Sequence, residues 1–331
     1  MIRIFGEIKK SPSFPAFVLF IILFILNCFI TKGFTSHSFI NSFFASNVPL
    51  ICIAIGSAGV IISGGIDLSV GAIITLINVV MISLFGAGWG IAPVILVSLL
   101  LAAGMGALNG LMVGILRVNP LMATFASQSI FAGIALWIMS IPGGSSPVAL
   151  AKWYNGNLFG IPASLIVMLI VLAASIVLLK SRIGIKLYAI GNNEEKAFVS
   201  GVNVSRIKFM VYTFSGIASG VAAIALTARI GGGDPTVALP MTLTCIAACV
   251  IGGLDLAGGK GTSVGGIWGA MFLQLIITTI FSTGVSTFRQ DLVKGLIIFA
   301  GIAGTIIVSN SKRRSKSAGL QANMLERGKQ L

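Results

Sequence analysis

Two aspartates lie in nearly identical glycine-rich segments of a chain that is otherwise apolar. Asp67 lies in GGIDLSVG (64–71), and Asp255 lies in GGLDLAGG (252–259). A carboxylate in or near hydrocarbon is costly unless it faces a protein interior, a wet cavity or the headgroup boundary. Glycines loosen a helix, and broken helices beside polar groups in both halves of a membrane protein are typical of a substrate path. The repeat therefore predicts such a path, while capping of helix N-termini by the two carboxylates stays open as the alternative.

The path is predicted to be lined by polar groups from the glycine-broken helices, inside predicted spans or at their ends. Ser69, Asn109 and Thr124 complete the candidate substrate path with Asp67 and Asp255.

Residue patterns for covalent or metal chemistry are missing from the sequence. The chain has one histidine, no G-x-S-x-G, and four cysteines without the C-x-x-C spacing of metal or redox sites. The segment GGKGTS (258–263) lacks the spacing of an ATP-binding phosphate loop. The sequence predicts no catalytic residue, no metal site and no cofactor bound by this chain.

The composition indicates an all-α polytopic membrane protein. Of 331 residues, 56% are hydrophobic and only 9% are charged, and the mean hydropathy is +1.05. Soluble domains carry about 25% charged residues. The net charge of +14 does not indicate a nucleic-acid partner, because the basic residues lie in short loops between apolar runs.

Ten apolar windows approach the roughly 20 residues that cross a bilayer as a helix. They are 14–30, 48–64, 69–86, 91–116, 121–141, 161–179, 209–228, 239–256, 264–283 and 290–309.

The basic residues predict the orientation. With the N-terminus inside, only Lys32, Lys152, Arg229, Arg289 and Lys294 of the 22 basic residues fall on the outer side. This asymmetry predicts cytoplasmic N- and C-termini. Residues 1–310 then form a transmembrane domain, and 311–331 form a basic cytoplasmic tail.

The longest polar loop, 180–208, falls on the cytoplasmic side. A short helix is predicted between Gly191 and Gly201, with Asn192 or Asn193 as its N-cap. Glu194 and Glu195 would lie in its positively polarised first turn. So short a helix is suited to docking into a groove on a soluble partner.

Four blocks follow one another in a fixed order over nearly the whole chain. They are GGIDLSVG (64–71), GALNGLMVGILRVNPLMATFASQ (106–128), LYAIGNNEEKAFVSGVNV (187–204) and IGGLDLAGGKGTSVGG (251–266). They resemble the membrane permease subunits of bacterial monosaccharide ABC importers of the ribose, xylose and galactose type. The resemblance implies a transporter subunit of the inner membrane rather than an enzyme. The implied partners are cytoplasmic ATPase subunits that bind ATP and Mg²⁺, a sugar-binding protein, and a second permease, identical or paralogous.

The segment 195–201, EKAFVSG, resembles the E-A-A-x-x-x-G loop by which importer permeases engage their ATPases, with Lys196 in place of the first alanine. The resemblance makes 191–201 the coupling helix and matches the loop at Glu195, Ala197 and Gly201.

One departure from the family concerns the substrate. Members usually carry Glu-Leu-Asp-Ala-Ile-Ala-Ala, whereas 239–248 here reads LPMTLTCIAA, without either acid. Import of the signalling sugar autoinducer-2 by an unequal permease pair therefore stays open. A proton-coupled secondary transporter that uses Asp67 and Asp255 is a further alternative, although both aspartates follow even-numbered spans and so lie towards the cytoplasm.

Overall fold

The computed structural model describes residues 13–158 and 160–282, and beyond these Leu292, Gly295, Leu296 and Phe299. Apart from those four residues, the predicted tenth span lies outside the described residues, as does the predicted tail.

The described chain is predominantly helical. Its helices are α1 (Phe14–Ile30), α2 (His37–Ile62), α3 (Val70–Gly86), α4 (Ile91–Gly110), α5 (Pro120–Ile138), α6 (Val148–Asn155), α7 (Ala163–Lys180), α8 (Arg182–Asn192), α9 (Glu194–Val199), α10 (Val204–Ile230), α11 (Met241–Ile251) and α12 (Ser263–Ser282). A π-helical turn, Leu111–Ile115, extends α4. Two short antiparallel strands, β1 (Asn157–Leu158) and β2 (Ile161–Pro162), follow α6.

Six described helices are long and apolar enough to cross a membrane: α2, α4 with its π-helical turn, α5, α7, α10 and α12. The apolar helices α1, α3 and α11 are shorter, with 17, 17 and 11 residues. A helix therefore lies in each of nine predicted windows, and the predicted helical membrane protein is confirmed.

Helix boundaries differ from the predicted windows for local reasons. α2 begins eleven residues before its window, because the Ser36 side chain accepts a hydrogen bond from the Phe39 N–H and caps a polar first turn. α11 is shorter than its window because it starts after Pro240 and ends before Gly252.

The core is built around α2, whose apolar window is 94% buried, and around α10, which packs against α2, α3 and α4. α10 crosses α4 where Gly106 faces Gly216. A methyl group on Gly106 would lie 2.6 Å from the Tyr212 carbonyl oxygen and 2.8 Å from the Gly216 Cα. Small residues permit this close approach of two backbones, as is usual between membrane helices.

The bundle has two distinct ends. We call the first of these the α6 end. There Tyr154 of α6 donates to the Ala45 carbonyl at 2.7 Å, and Arg229 donates to Ser42 at 3.0 Å. At the other, the α8 end, the last turn of α2 contacts α8.

The described basic residues divide unequally between these ends. The α6 end holds Lys32, Lys152 and Arg229. The α8 end holds Arg117, Lys180, Arg182, Lys186, Lys196, Arg206, Lys208 and Lys260.

Candidate functional site

The two repeat segments begin with the same backbone conformation, which ends the preceding helix. Gly64, just after the end of α2, has a φ of 79°, and Gly253, just after the end of α11, has a φ of 88°. In each case the next N–H bonds back to a carbonyl five residues earlier, from Gly65 to Val60 and from Leu254 to Cys249, both at 3.0 Å. This is the Schellman ending, which favours glycine in the left-handed region. The internal repeat is thus a repeated way of ending a helix.

Asp67 of the first repeat is buried among hydroxyl groups, and its side chain is 3% exposed. One carboxylate oxygen accepts the Ser69 N–H at 3.0 Å and the Ser69 hydroxyl at 2.6 Å. The other oxygen accepts the Ser215 hydroxyl of α10 at 2.9 Å. Because hydrogen bonds to an ionised acceptor are stronger than neutral ones, these three contacts offset much of the cost of burying a carboxylate.

The hydrogen bonds continue from Ser69 into two more helices. Asn109 of α4 donates its amide to the Ser69 hydroxyl at 2.7 Å, and Ser127 of α5 donates to the Asn109 side-chain oxygen at 2.5 Å. Every donor in this series is directed towards Asp67, which is the final acceptor. Series of this kind polarise their members and strengthen one another.

Thr124 joins the same group through the backbone. It receives the Leu68 N–H at 3.1 Å, and its hydroxyl lies 2.8 Å from the Pro120 carbonyl and 3.3 Å from the Ile66 carbonyl. We name the whole group the polar junction, whose members are Asp67, Ser69, Asn109, Thr124, Ser127 and Ser215.

The polar junction joins the α2–α3 loop to α4, α5 and α10, and all its side chains are between 0 and 3% exposed. Among the described residues, the buried side-chain polar atoms without a partner are Asn47 Oδ1 and Ser146 Oγ, which lie outside the junction. The junction is therefore fully hydrogen-bonded, as a buried polar network must be to stabilise a fold.

Four of the five predicted path residues thus come together, since Asp67, Ser69, Asn109 and Thr124 are all members. Sequence reasoning missed Ser127 and Ser215. Their signal was weak, because a serine in an apolar helix commonly bonds a carbonyl one turn earlier, as Ser219 does with Ser215 at 2.9 Å.

The fifth predicted residue, Asp255, lies apart from the polar junction, with its side chain 28% exposed. It accepts the Ala257 N–H at 3.1 Å and pairs with Lys260 at 3.3 Å. Its backbone N–H and the Gly258 N–H close a tight loop around these contacts. The two aspartates of the repeat therefore have different partners and different exposure.

The loop predicted to hold one helix holds two. α8 ends at Asn192 and α9 begins at Glu194, so Gly191 lies inside the first helix rather than at the start of the second. Asn193 caps α9, since its side chain accepts the Lys196 N–H at 2.8 Å.

The end of α9 also follows a Schellman pattern. Gly201 has a φ of 81°, its N–H bonds the Phe198 carbonyl at 2.9 Å, and the Val202 N–H bonds the Ala197 carbonyl at 3.1 Å. Ala197 is buried, whereas Phe198 is 61% and Val199 is 85% exposed. One face of α9 therefore packs on the bundle, and the other presents apolar surface outward.

The two acidic residues of α9 differ in their contacts. Glu194 pairs with Lys208 of α10 at 2.6 Å, whereas Glu195 has no ion-pair partner among the described residues. A cavity of about 810 Å³ lies between α9, the start of α10 and the α4–α5 turn. Arg117 lines it from that turn with a φ of 55°, an unusual conformation for a residue with a side chain.

Comparison with known proteins identifies the family. A family model described as "Branched-chain amino acid transport system / permease component" matches residues 38–302. The chain belongs to this permease family. The ribose import permease protein of Bacillus subtilis (strain 168) is 33% identical over 298 residues, covering 89% of this chain and 91% of the relative.

Two further relatives cover a similar share of the permease. The ribose import permease protein of Escherichia coli (strain K12) is 32% identical over 89% of this chain and 92% of its own length. The autoinducer 2 import system permease protein of Photorhabdus luminescens is 28% identical over 96% of this chain and 95% of its own length. No solved structure matches the chain. This protein is a multi-pass membrane transporter component.

Proposed function

We propose that this permease forms the translocation path for a monosaccharide and that a separate ATPase, which binds ATP and Mg²⁺, drives it through α9. The support for the substrate class is that the relatives are named for the import of ribose, D-allose and autoinducer 2. A binding protein would deliver the sugar, and a second permease, identical or paralogous, would complete the path.

The observation that carries the ATPase contact is the form of α9. It is a helix capped at both ends, with Phe198 and Val199 exposed beside a cavity, and it stands at the more basic end of the bundle. A short amphipathic helix of this kind fits a groove on a soluble partner. Glu195 is the acidic group available to a basic residue of that partner, since Glu194 is already paired with Lys208.

The α8 end is the cytoplasmic end in this proposal. Eight of the eleven described basic residues lie there, and basic residues accumulate on the cytoplasmic side of membrane proteins. The nine apolar helices and the predicted span at 290–309 would give ten crossings and cytoplasmic termini.

We propose that the polar junction anchors the α2–α3 loop against three helices. Its members are almost fully buried and bonded to one another. Contact of Asp67, Ser69, Asn109, Thr124 or Asp255 with the sugar stays a prediction.

The α9 contact is tested with Glu195→Lys in the complete importer. We expect this variant to be inserted in normal amounts but to lose copurification of the ATPase, because a charge reversal opposes the partner's basic residue. Gly201→Val should act in the same direction, because a β-branched residue cannot easily adopt a φ of 81° and the C-terminus of α9 would shift.

Asp234→Lys is the matched control, since it reverses one acidic charge beyond α10 at the α6 end. Its Oδ1 accepts from Thr236 in a local turn. If Glu195→Lys retained the ATPase and transported at the wild-type rate, α9 would not be the contact.

The substrate is tested in proteoliposomes that hold the complete importer, with ribose and autoinducer-2 as competing labelled substrates. Uptake of ribose but not autoinducer-2 supports the ribose-type assignment, and the reverse supports the second candidate, which the absence of acids in 239–248 favours. Uptake that needed a proton gradient while ATP was held constant would contradict an ATP-driven mechanism.

A further inference from the structure

Three backbone segments meet at the α8 end without intervening side chains. Gly259 of the second repeat donates its N–H to the Ile62 carbonyl at the end of α2, at 2.9 Å. Gly191 of α8 lies against both, since a methyl group there would overlap the Ile62 carbonyl oxygen and the Gly259 nitrogen. α8 therefore touches the end of the first repeat's helix and the loop of the second repeat together.

Gly258 brings the first repeat into the same contact. Its φ is 89°, and a methyl group on it would lie 2.8 Å from the Gly64 nitrogen and 2.9 Å from the Gly191 carbonyl oxygen. We name this contact the glycine junction, formed by Gly64, Gly191, Gly258 and Gly259. Because backbone atoms are packed directly together, none of the three segments can shift without displacing another.

A side-chain bond adds a second link between α8 and the second repeat. The Tyr188 hydroxyl donates to the Gly261 carbonyl at 2.7 Å. Burial raises the pKa of the Tyr188 phenol, so the hydroxyl keeps the proton that it donates. On the same helix Leu187 and Ile190 are 0% and 2% exposed, which fixes the packed face of α8.

α8 and α9 are joined by a single residue. The Asn193 N–H bonds the Ala189 carbonyl of α8 at 3.1 Å, while the Asn193 side chain caps α9 through the Lys196 N–H. A connection of one residue, bonded on both sides, leaves little freedom for α9 to move without α8.

We propose that α8 transmits displacement of α9 to both repeats, with Tyr188 and Gly191 as the positioning residues of this connection. The proposal rests on the role of α9 as the ATPase contact. Movement received at Gly64 passes three residues along the chain to Asp67, and so reaches the polar junction that holds α4, α5 and α10. Contact alone does not establish energetic coupling, so the test must measure coupling itself.

The decisive variant is Tyr188→Phe, which removes one hydroxyl and keeps the aromatic ring. Gly191→Ala is less suitable, because its methyl group collides with backbone and folding itself could fail. Tyr154→Phe at the α6 end is the matched control, since it also removes a tyrosine hydroxyl bonded to a backbone carbonyl at 2.7 Å. The complete importer is reconstituted with each variant, and sugar uptake per ATP hydrolysed is measured beside ATPase copurification.

We expect Tyr188→Phe to retain the ATPase and its basal hydrolysis while uptake per ATP falls about fivefold, the factor that corresponds to the net contribution of one hydrogen bond. Tyr154→Phe should leave this ratio unchanged, whatever it does to stability. A merely structural role for Tyr188 would lower uptake and hydrolysis together and leave their ratio at the wild-type value.

A wild-type ratio for Tyr188→Phe overturns the proposal. Loss of ATPase copurification in Tyr188→Phe also overturns it, because α8 would then be part of the docking surface. If α9 is not the ATPase contact, a different variant shows it: Glu195→Lys would then retain the ATPase and take up sugar at the normal rate.

Discussion

Replacement of Asp67 tests whether the polar junction anchors the α2–α3 loop. Asp67→Ala leaves the Ser69 N–H, the Ser69 hydroxyl and the Ser215 hydroxyl without their acceptor in a buried site. Each buried donor without a partner costs about 1–3 kcal/mol. Because the two hydroxyls can rotate towards other acceptors, we expect a total loss of about 3–6 kcal/mol, enough to prevent accumulation of a marginally stable protein.

Asp67→Asn should be much milder. The side-chain oxygen still accepts from Ser69, and the new amide group faces the Ser215 hydroxyl, which has lone pairs to accept it. The free energy of unfolding should then fall by only about 1 kcal/mol, because charge-assisted hydrogen bonds are replaced by neutral ones. We expect the variant to be inserted and to take up sugar at a rate close to the wild type.

The second repeat supplies the control. Asp255→Ala removes a partly exposed ion pair with Lys260 and one backbone contact, and exposed pairs contribute about 0–1 kcal/mol. The assay compares thermal midpoints and yields of the detergent-purified variants, followed by uptake in proteoliposomes. Equal stability of Asp67→Ala and Asp255→Ala would refute the anchoring argument. A stable Asp67→Asn protein without uptake would instead place the carboxylate in the substrate path.

Two further predictions concern packing and capping. Gly106→Ala should destabilise the protein by about 1–3 kcal/mol and lower its thermal midpoint, because the new methyl group would lie 2.6 Å from the α10 backbone. Gly104→Ala should leave the midpoint unchanged, because nothing lies within 4 Å of its methyl group. Equal midpoints of the two variants would contradict the close crossing of α4 and α10. Asn193→Ala should remove the cap of a six-residue helix, at about 1 kcal/mol, and weaken ATPase copurification, whereas Asn193→Ser should retain both. Full copurification with Asn193→Ala would show that the cap is not needed.

Hydropathy correctly indicated a helix in nine windows, because a helix that faces hydrocarbon must be apolar, and six of these helices are long enough to cross a membrane. It was less informative at α11, where only 11 residues lie between Pro240 and Gly252. α8 was missed although Ile183, Leu187 and Ile190 stand on one helix face, because that pattern is embedded in a basic loop. Caps were predictable at α9, since Asn193 and Gly201 act through contacts within a few residues of chain.

The polar junction was only partly predictable, because its bonds join residues far apart in sequence. Asp67 and Ser69 form a local pair, but Ser215 is 148 residues from Asp67. The sequence of one helix shows that a polar serine lies within an apolar span. It does not indicate whether that serine bonds its own helix or another one, which is a property of the packing.

The two aspartates lie in different environments because different residues follow them in the chain. In the first repeat Leu68 and Ser69 lead directly into α3. The Asp67 carboxylate therefore lies at the start of this helix, inside the bundle, where it accepts hydrogen bonds from Ser69 and from Ser215 of α10. In the second, Ala257 is followed by two glycines with positive φ, so the chain folds back and its aspartate stays beside Lys260. Both repeats thus end a helix in the same way, but α8 packs against the end of α2 in the first repeat and against the loop glycines Gly258 and Gly259 in the second. The two carboxylates diverge because Asp67 lies within the polar junction and Asp255 lies in a partly exposed loop, whereas backbone from both repeats meets at the glycine junction.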